Sequence, residues 1–177
     1  GHIAGALNIP LKPQFVSWAG WMLDPEEKIL LVVENERDLC PIREHLFRIG
    51  IDQVVGYLHS GMESWETTAR PLQSIPQWTV RELDKRRKDQ PLTILDVRSP
   101  EEWKQGHIPD AVHQYAPHLE ENVDKVPSDK PVAVYCGTGY RATIAASILK
   151  RHDFEVVNIP GSWKAWRHAD LPVGEPV

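Results

Sequence analysis

The sequence predicts an α/β fold in which parallel sheets are flanked by helices. In the C-terminal half, short apolar runs alternate with capped helical segments. Strands that alternate with helices form parallel sheets covered on both faces. Sequence markers also recur at nearly constant spacing, which indicates a duplicated domain. The content of 41% hydrophobic and 25% charged residues among 177 suits globular domains of this kind.

The duplication rests on two pairs of matching segments. Gly-His-Ile at residues 1–3 recurs at 106–108, and a Gly-containing segment ending in Trp at 60–65 recurs at 161–166. This register predicts a first domain at residues 1–72, a linker at 73–77 and a second domain at 78–177. The first domain then lacks counterparts of residues 79–105, which include an inner strand. We therefore expect an upstream segment or another copy to complete its sheet.

The elements of the second domain follow in order. Thr79 and Glu82 form a capping-box signature for a helix that runs to about Lys88, and residues 92–97 form a buried apolar strand. Residues 99–102 supply a second cap, with proline at the first helical position. The remaining predicted elements are a helix end at Gly106, a short strand at 111–113, a strand at 132–135, a helix after Arg141 and a strand at 155–159.

Residues 136–141, Cys-Gly-Thr-Gly-Tyr-Arg, join a buried strand to a helix. Helix N-termini carry unpaired N–H groups and partial positive charge, which stabilise thiolates. Gly137 and Gly139 are expected to adopt positive φ and turn their N–H groups toward the sulfur, and Arg141 adds a fixed positive charge. The pattern predicts a nucleophilic Cys136. The alternatives are an inert buried cysteine and an arginine that only caps its own loop.

Composition narrows the functional classes. The net charge of −5 gives no general attraction to nucleic acid or to an anionic membrane, and no apolar run is long enough to span a bilayer. Two cysteines in different surroundings disfavour a disulfide scaffold, so a reducing, cytoplasmic location is predicted. His2 and His107 belong to the repeated Gly-His-Ile corner, and the other histidines lack ligand spacing. The sequence therefore predicts no metal and no cofactor.

The motifs of residues 78–173 resemble a rhodanese domain in order and spacing. They are Asp-Val-Arg at 96–98, Glu-Glu-Trp at 101–103, Gly-His-Ile-Pro at 106–109, the loop at 136–141 and Gly-Ser-Trp-Lys-Ala-Trp at 161–166. The resemblance implies a sulfurtransferase in which Cys136 accepts a sulfane sulfur as a persulfide and passes it to a thiol or to cyanide. Its six-residue loop is one residue shorter than that of the related phosphatases and arsenate reductases, which favours sulfur over a tetrahedral oxyanion.

The resemblance also assigns roles within the loop. The backbone amides of Gly137, Thr138, Gly139 and Tyr140 would stabilise the bound persulfide, and Arg141 would position the charge of a donor. The implied partners are a small-molecule donor, either thiosulfate or a low-molecular-weight persulfide, and a thiol acceptor.

The first repeat has no cysteine at the matching position. Glu34 or Asn35 stands there, and Cys40, which comes too late, is predicted to be structural. This repeat resembles a non-catalytic rhodanese-like domain. The pair resembles the tandem repeat that follows a metallo-β-lactamase-type persulfide dioxygenase in bacterial fusion proteins, which implies such an upstream domain as a partner. The alternatives to an independent sulfurtransferase are a docking or sulfur-relay module of a larger persulfide-oxidising enzyme and a sulfur carrier for cofactor or RNA thiolation.

Overall fold

A computed structural model describes residues 1–174 in two compact units. Unit 1 comprises Gly1–Ala4 and Ile9–Gln73, and unit 2 comprises Gly5–Asn8 and the chain from Ser74 onward. Each unit contains a parallel sheet with flanking helices, so the predicted α/β class is confirmed. The predicted domain bounds of 1–72 and 78–177, with a linker at 73–77, stay a prediction.

Unit 1 contains three α-helices and two strands within the described residues. They are α1 Phe15–Met22, β1 Ile29–Leu31, α2 Leu39–Arg48, β2 Val54–Tyr57 and α3 Gly61–Thr67. The strands are parallel. Phe15 and Ala19 of α1 pack with Ile42 and Leu46 of α2 and with Ile51, and together they form a small buried core.

The two-stranded sheet of unit 1 leaves apolar side chains in solvent. Leu30 of β1 is 71% exposed, and Val55 of β2 is 56% exposed. Apolar side chains are normally covered on a parallel sheet, because helices and neighbouring strands pack on it. Leu30 and Val55 therefore lack cover within the described part of unit 1, although Ile29, Leu31 and Val54 of the same strands pack on its core.

Unit 2 holds a four-stranded parallel sheet. Its elements are α4 Val80–Asp89, β3 Thr93–Asp96, α5 Pro100–Lys104, β4 Val112–His113, β5 Val132–Tyr135, α6 Tyr140–Arg151, β6 Val156–Asn158 and α7 Ser162–His168. The strand order is β4-β3-β5-β6. Every strand and helix predicted for residues 78–177 is present, with ends shifted by only one or two residues.

Local signals account for the helix starts. The Thr79 hydroxyl accepts the N–H of Glu82, and the Glu82 carboxylate accepts the N–H of Thr79 over 2.7 Å, so a complete capping box opens α4. Ser99 and Glu102 form the same box at the start of α5. These contacts satisfy N–H groups that a helix start leaves unpaired.

Side chains that alternate along the strands of unit 2 form its core on one face of the sheet. Ile94, Ala133 and Val157 lie in register on one face of the sheet, where they pack with Leu83 of α4 and Trp166 of α7. Trp166 has no exposed surface and anchors this core. Helix α6 contacts β5 and β6.

The two units share local geometry at matching positions. The indole N–H of Trp65 donates to the carbonyl of Pro71 over 3.0 Å, and that of Trp166 donates to the carbonyl of Pro172 over 2.7 Å. Isolated antiparallel bridges join residues 2 and 73 in unit 1 and residues 107 and 174 in unit 2. Equivalent contacts at equivalent positions are expected of a structural repeat.

No helix within residues 1–174 is long and apolar enough to cross a lipid bilayer. In the same part of the chain, no group of three or more His, Cys, Asp or Glu side chains is arranged to hold a metal ion. The cytoplasmic location stays a prediction.

Candidate active site

Cys136 lies at the carboxyl end of β5, which is an inner strand of the unit 2 sheet. Only 1% of the residue is exposed, and helix α6 begins four residues later at Tyr140. In open parallel sheets, ligands bind at the carboxyl ends of inner strands. The fold therefore places the cysteine where such sheets carry their chemistry.

The backbone of Gly139 contacts the sulfur. Its N–H lies 3.1 Å from Cys136 Sγ. Gly139 has φ of 112° and stands at the N-cap of α6, a conformation that side chains with a Cβ rarely adopt. The positive φ predicted for Gly139 is thus confirmed, and it lets the backbone turn an N–H toward the sulfur.

Gly137 is small for a different reason. Its φ is not positive, so the predicted left-handed conformation is wrong at this position. A Cβ at residue 137 would lie 3.0 Å from Nη2 of Arg141 and 3.5 Å from Oε1 of Glu102. Close packing against that pair, rather than backbone conformation, favours glycine here.

Arg141 is held by a carboxylate. Its Nη1 donates to Oε2 of Glu102 over 2.5 Å, and its Nη2 donates to Oε1 over 2.7 Å. Burial alone would lower the pKa of Arg141, but the hydrogen bonds and charge of Glu102, together with Cys136, raise it. The hydrogen bonds from Arg141 in turn lower the pKa of Glu102 against the effect of burial. Both groups are therefore ionised, and the pair supports the loop at Gly137.

Thr138 and Tyr140 complete the predicted loop set. Thr138 is exposed at the tip of the loop, and Tyr140 is half-buried as the first residue of α6. Burial raises the pKa of the Tyr140 hydroxyl. The structure thus brings together all six residues predicted for the site, Cys136 to Arg141, around one turn of backbone.

Ser162 was not predicted from the sequence, although it lies in the recurring Gly-Ser-Trp segment. Its buried hydroxyl accepts the N–H of Cys136 over 3.1 Å and donates to the carbonyl of Ile159 over 2.9 Å. The N–H of Trp163 donates to the carbonyl of Cys136 over 2.8 Å. The start of α7 therefore satisfies the backbone of Cys136 on both sides and fixes its position.

Glu102 was predicted only as a helix-capping residue. One of its oxygens accepts both the N–H of Ser99 over 3.0 Å and the guanidinium of Arg141. The sequence does indicate where this carboxylate lies, because the helix cap with Ser99 fixes its position at the start of α5. Its partner 39 residues later could be found only from the tertiary structure.

A buried ion pair supports the neighbouring strand end. The carboxylate of Asp96 accepts hydrogen bonds from the Arg98 guanidinium, the shortest over 2.6 Å. It also accepts one from the Tyr135 hydroxyl over 2.5 Å. Arg98 also donates to the carbonyl of Gly106 over 2.8 Å. Burial, followed by the charge of Asp96, raises the pKa of Tyr135, so its hydroxyl stays protonated. Asp96 and Arg98 therefore tie the end of β3 to the chain at Gly106.

The matching position in unit 1 is built differently. The Asn35 side chain accepts the N–H of Arg37 over 3.0 Å and caps a short 3₁₀ helix, Glu36–Asp38. Glu36 accepts the N–H of Ser60 over 3.1 Å.

Cys40 is exposed on α2, so the prediction of a structural role for it is wrong: it contributes no buried side chain to the core.

Comparisons with known proteins agree on unit 2. A family model described as rhodanese-like domain matches residues 79–169. A sulfurtransferase from Allochromatium vinosum is 32% identical over 84 residues, which are 47% of this chain and 78% of that protein. A thiosulfate sulfurtransferase, GlpE of Pseudomonas syringae, is 31% identical over 81 residues, which are 45% of this chain and 76% of that protein.

Two further similarities differ in kind. The solved structure of a rhodanese-related protein from Thermoplasma volcanium matches with a TM-score of 0.53 and 27% identity, over 56% of this chain and 97% of the other. The HTH-type transcriptional regulator Rv0324 of Mycobacterium tuberculosis is 33% identical over 99 residues, which are 55% of this chain but only 44% of the regulator. Sequences of this kind therefore occur both as separate proteins and as parts of longer ones.

Proposed function

Because this chain belongs to the rhodanese-like domain family, we propose that it is a sulfurtransferase that carries sulfane sulfur as a persulfide on Cys136. Relatives that are named sulfurtransferases support a role in sulfur transfer. The GlpE relatives support thiosulfate as one donor, and a low-molecular-weight persulfide is the other. The acceptor is a thiol.

The observation that carries this proposal is the contact between the Gly139 N–H and Cys136 Sγ, 3.1 Å apart in a loop that opens helix α6. An N–H group aimed at sulfur stabilises negative charge on it, whether on a thiolate or on a bound persulfide. Gly137 and Thr138 extend the same turn of backbone, and the Arg141–Glu102 pair holds its base.

Transfer proceeds in two displacements. The Cys136 thiolate attacks the outer sulfur of thiosulfate, the sulfur–sulfur bond of the donor breaks, and sulfite leaves with the bonding electrons. The thiolate of the acceptor then attacks the outer sulfur of the enzyme persulfide. The new sulfur–sulfur bond forms on the acceptor, and Cys136 leaves as a thiolate. Each step moves one sulfur atom without an external oxidant or reductant.

The chain offers a matched control, because it has two cysteines. Incubation with thiosulfate should add the mass of one sulfur atom to the wild type and to Cys40→Ser, but not to Cys136→Ser. Sulfite release and persulfide formation on an added thiol should follow the same pattern. Full turnover in Cys136→Ser, or its loss in Cys40→Ser alone, would contradict the assignment of the nucleophile.

A second function is that of a docking and sulfur-relay module in a larger persulfide-oxidising enzyme. The exposed apolar side chains of Leu30 and Val55 in unit 1 favour it, because such a surface suits a permanent neighbour. Local geometry shared with unit 2 supports unit 1 as a non-catalytic rhodanese-like repeat. The proposed neighbour is an upstream domain of the metallo-β-lactamase type. Failure of both thiosulfate and a small persulfide to load Cys136 would favour this function over the first.

A further inference from the structure

Helix α7 carries a cluster of basic side chains beside the Cys136 loop. Lys164, Arg167 and His168 are spaced by three and four residues, so they share one side of the helix, and all three are exposed. They line an open groove of about 810 Å³, called here the basic groove, whose lining residues are Thr138, Gly161, Lys164, Ala165, Arg167 and His168.

The basic groove adjoins the reactive loop directly. Thr138 belongs both to the groove lining and to the loop that follows Cys136. The N–H of Lys164 donates to the carbonyl of Gly137 over 2.9 Å, next to the bond from the Trp163 N–H to the Cys136 carbonyl. A molecule in the groove is therefore within reach of the loop that would carry the transferred sulfur.

The positive charge of the basic groove is not neutralised by described neighbours. Its lining contains no Asp or Glu. Among residues 1–174, no ion pair joins Lys164 or Arg167 to a carboxylate, whereas Arg98 and Arg141 are both paired with one. The guanidinium of Arg167 lies 5.8 Å from the ring centre of Trp163, a contact that leaves its charge in place. In a chain with a net charge of −5, this is a local site for anions.

The basic groove is open and measures about 810 Å³, so it has room for an anion larger than thiosulfate. Thiosulfate needs far less space, and its charge lies next to the sulfur that Cys136 attacks. We propose that the basic groove binds the carboxylates of an acidic organic thiol, the acceptor of the persulfide sulfur, and that Lys164 and Arg167 determine this specificity.

This inference rests on the proposed sulfur transfer through Cys136. In the second displacement, the acceptor thiolate attacks the outer sulfur while its carboxylates lie against Lys164 and Arg167. The contacts hold the attacking sulfur near the loop, so they lower the KM for an acidic thiol and leave a neutral thiol unaffected. They do not take part in the first displacement.

The test is a double charge reversal, Lys164→Glu with Arg167→Glu. Its matched control is Arg81→Glu with Lys85→Glu, which makes the same change in charge at exposed positions of α4 outside the groove. Each protein is loaded with thiosulfate, and sulfur transfer is then measured to mercaptosuccinate, a dicarboxylate, and to 2-mercaptoethanol, which is neutral. Each thiol is compared only between proteins, so its intrinsic reactivity cancels.

We expect the groove variant to raise the KM for mercaptosuccinate about tenfold, with no more than about a twofold change for 2-mercaptoethanol. The control should match the wild type with both thiols. High salt should reduce the difference between groove variant and wild type, since exposed charges are screened.

Three outcomes would overturn the inference: equal KM values for mercaptosuccinate in all proteins, an equal loss with both thiols, or slower loading by thiosulfate in the groove variant. Failure of the wild type to load with either thiosulfate or a small persulfide would instead contradict the proposed function, so the two failures are distinguishable.

Discussion

Glu102→Gln should slow sulfur loading onto Cys136, although Glu102 does not contact the sulfur in this structure. The substitution keeps the size of the side chain but removes its charge and one acceptor oxygen. Arg141 then loses at least one of its two charge-assisted hydrogen bonds, and the 2.5 and 2.7 Å geometry with two parallel acceptors cannot form. The Arg141 guanidinium, which packs against Gly137, is then free to move.

The size of the effect follows from the exposure of the pair. Hydrogen bonds to charged groups contribute about 1.5–3 kcal/mol each when they are well buried. The Glu102 side chain is 38% exposed and that of Arg141 is 21% exposed, so solvent screening reduces the contribution. A loss of about 1–2 kcal/mol remains for the pair, which corresponds to a loading rate about 5- to 30-fold lower if the pair holds the loop in its reactive geometry.

Glu101→Gln is the matched control, because Glu101 is the exposed neighbour on the same helix and loses the same charge. Stopped-flow measurement of sulfite release with excess thiosulfate gives the loading rate, and thermal unfolding gives the stability of each variant. We expect slower loading only in Glu102→Gln, in kcat more than in KM for thiosulfate. Wild-type loading in Glu102→Gln, or equal losses in both variants, would refute the view that the pair braces the loop.

Two other predictions concern stability. Asp96→Asn leaves the buried guanidinium of Arg98 without its carboxylate, so urea unfolding should show a loss of about 3 kcal/mol, whereas Asp110→Asn, whose side chain is 89% exposed, should change stability by less than about 0.5 kcal/mol; similar values for the two would count against the buried pair. Because the hydrogen bonds of Arg141 lower the pKa of Glu102 from its ordinary 4.5, the stability that this pair gives is complete above that pH and is lost as the pH falls through the lower folded value. Urea midpoints measured from about pH 6 to about pH 3 should fall less for Glu102→Gln than for the wild type, and parallel curves would contradict this.

Local sequence signals predicted the elements of unit 2 closely. The capping boxes at Thr79 and Ser99 begin α4 and α5 where the sequence indicated, because such caps act through contacts only three residues apart. Strand β5 has the predicted ends, since four consecutive apolar side chains need cover on both faces. Within the loop, the sequence mispredicted the conformation of Gly137. Glycine is favoured there by close packing against Arg141 and not by a positive φ.

The sequence by itself determined the fold class, the position of Cys136 between a strand and a helix, and the lack of a counterpart in the first repeat. These features depend on neighbours along the chain and on the period of apolar residues, both of which are visible in the letters. Only the tertiary structure decided which distant groups meet at the loop: Glu102 on Arg141, Ser162 on the Cys136 backbone, and the basic side of α7 beside Thr138. Such contacts depend on how helices pack against the sheet, because packing brings together side chains from separate elements, and no local pattern records it.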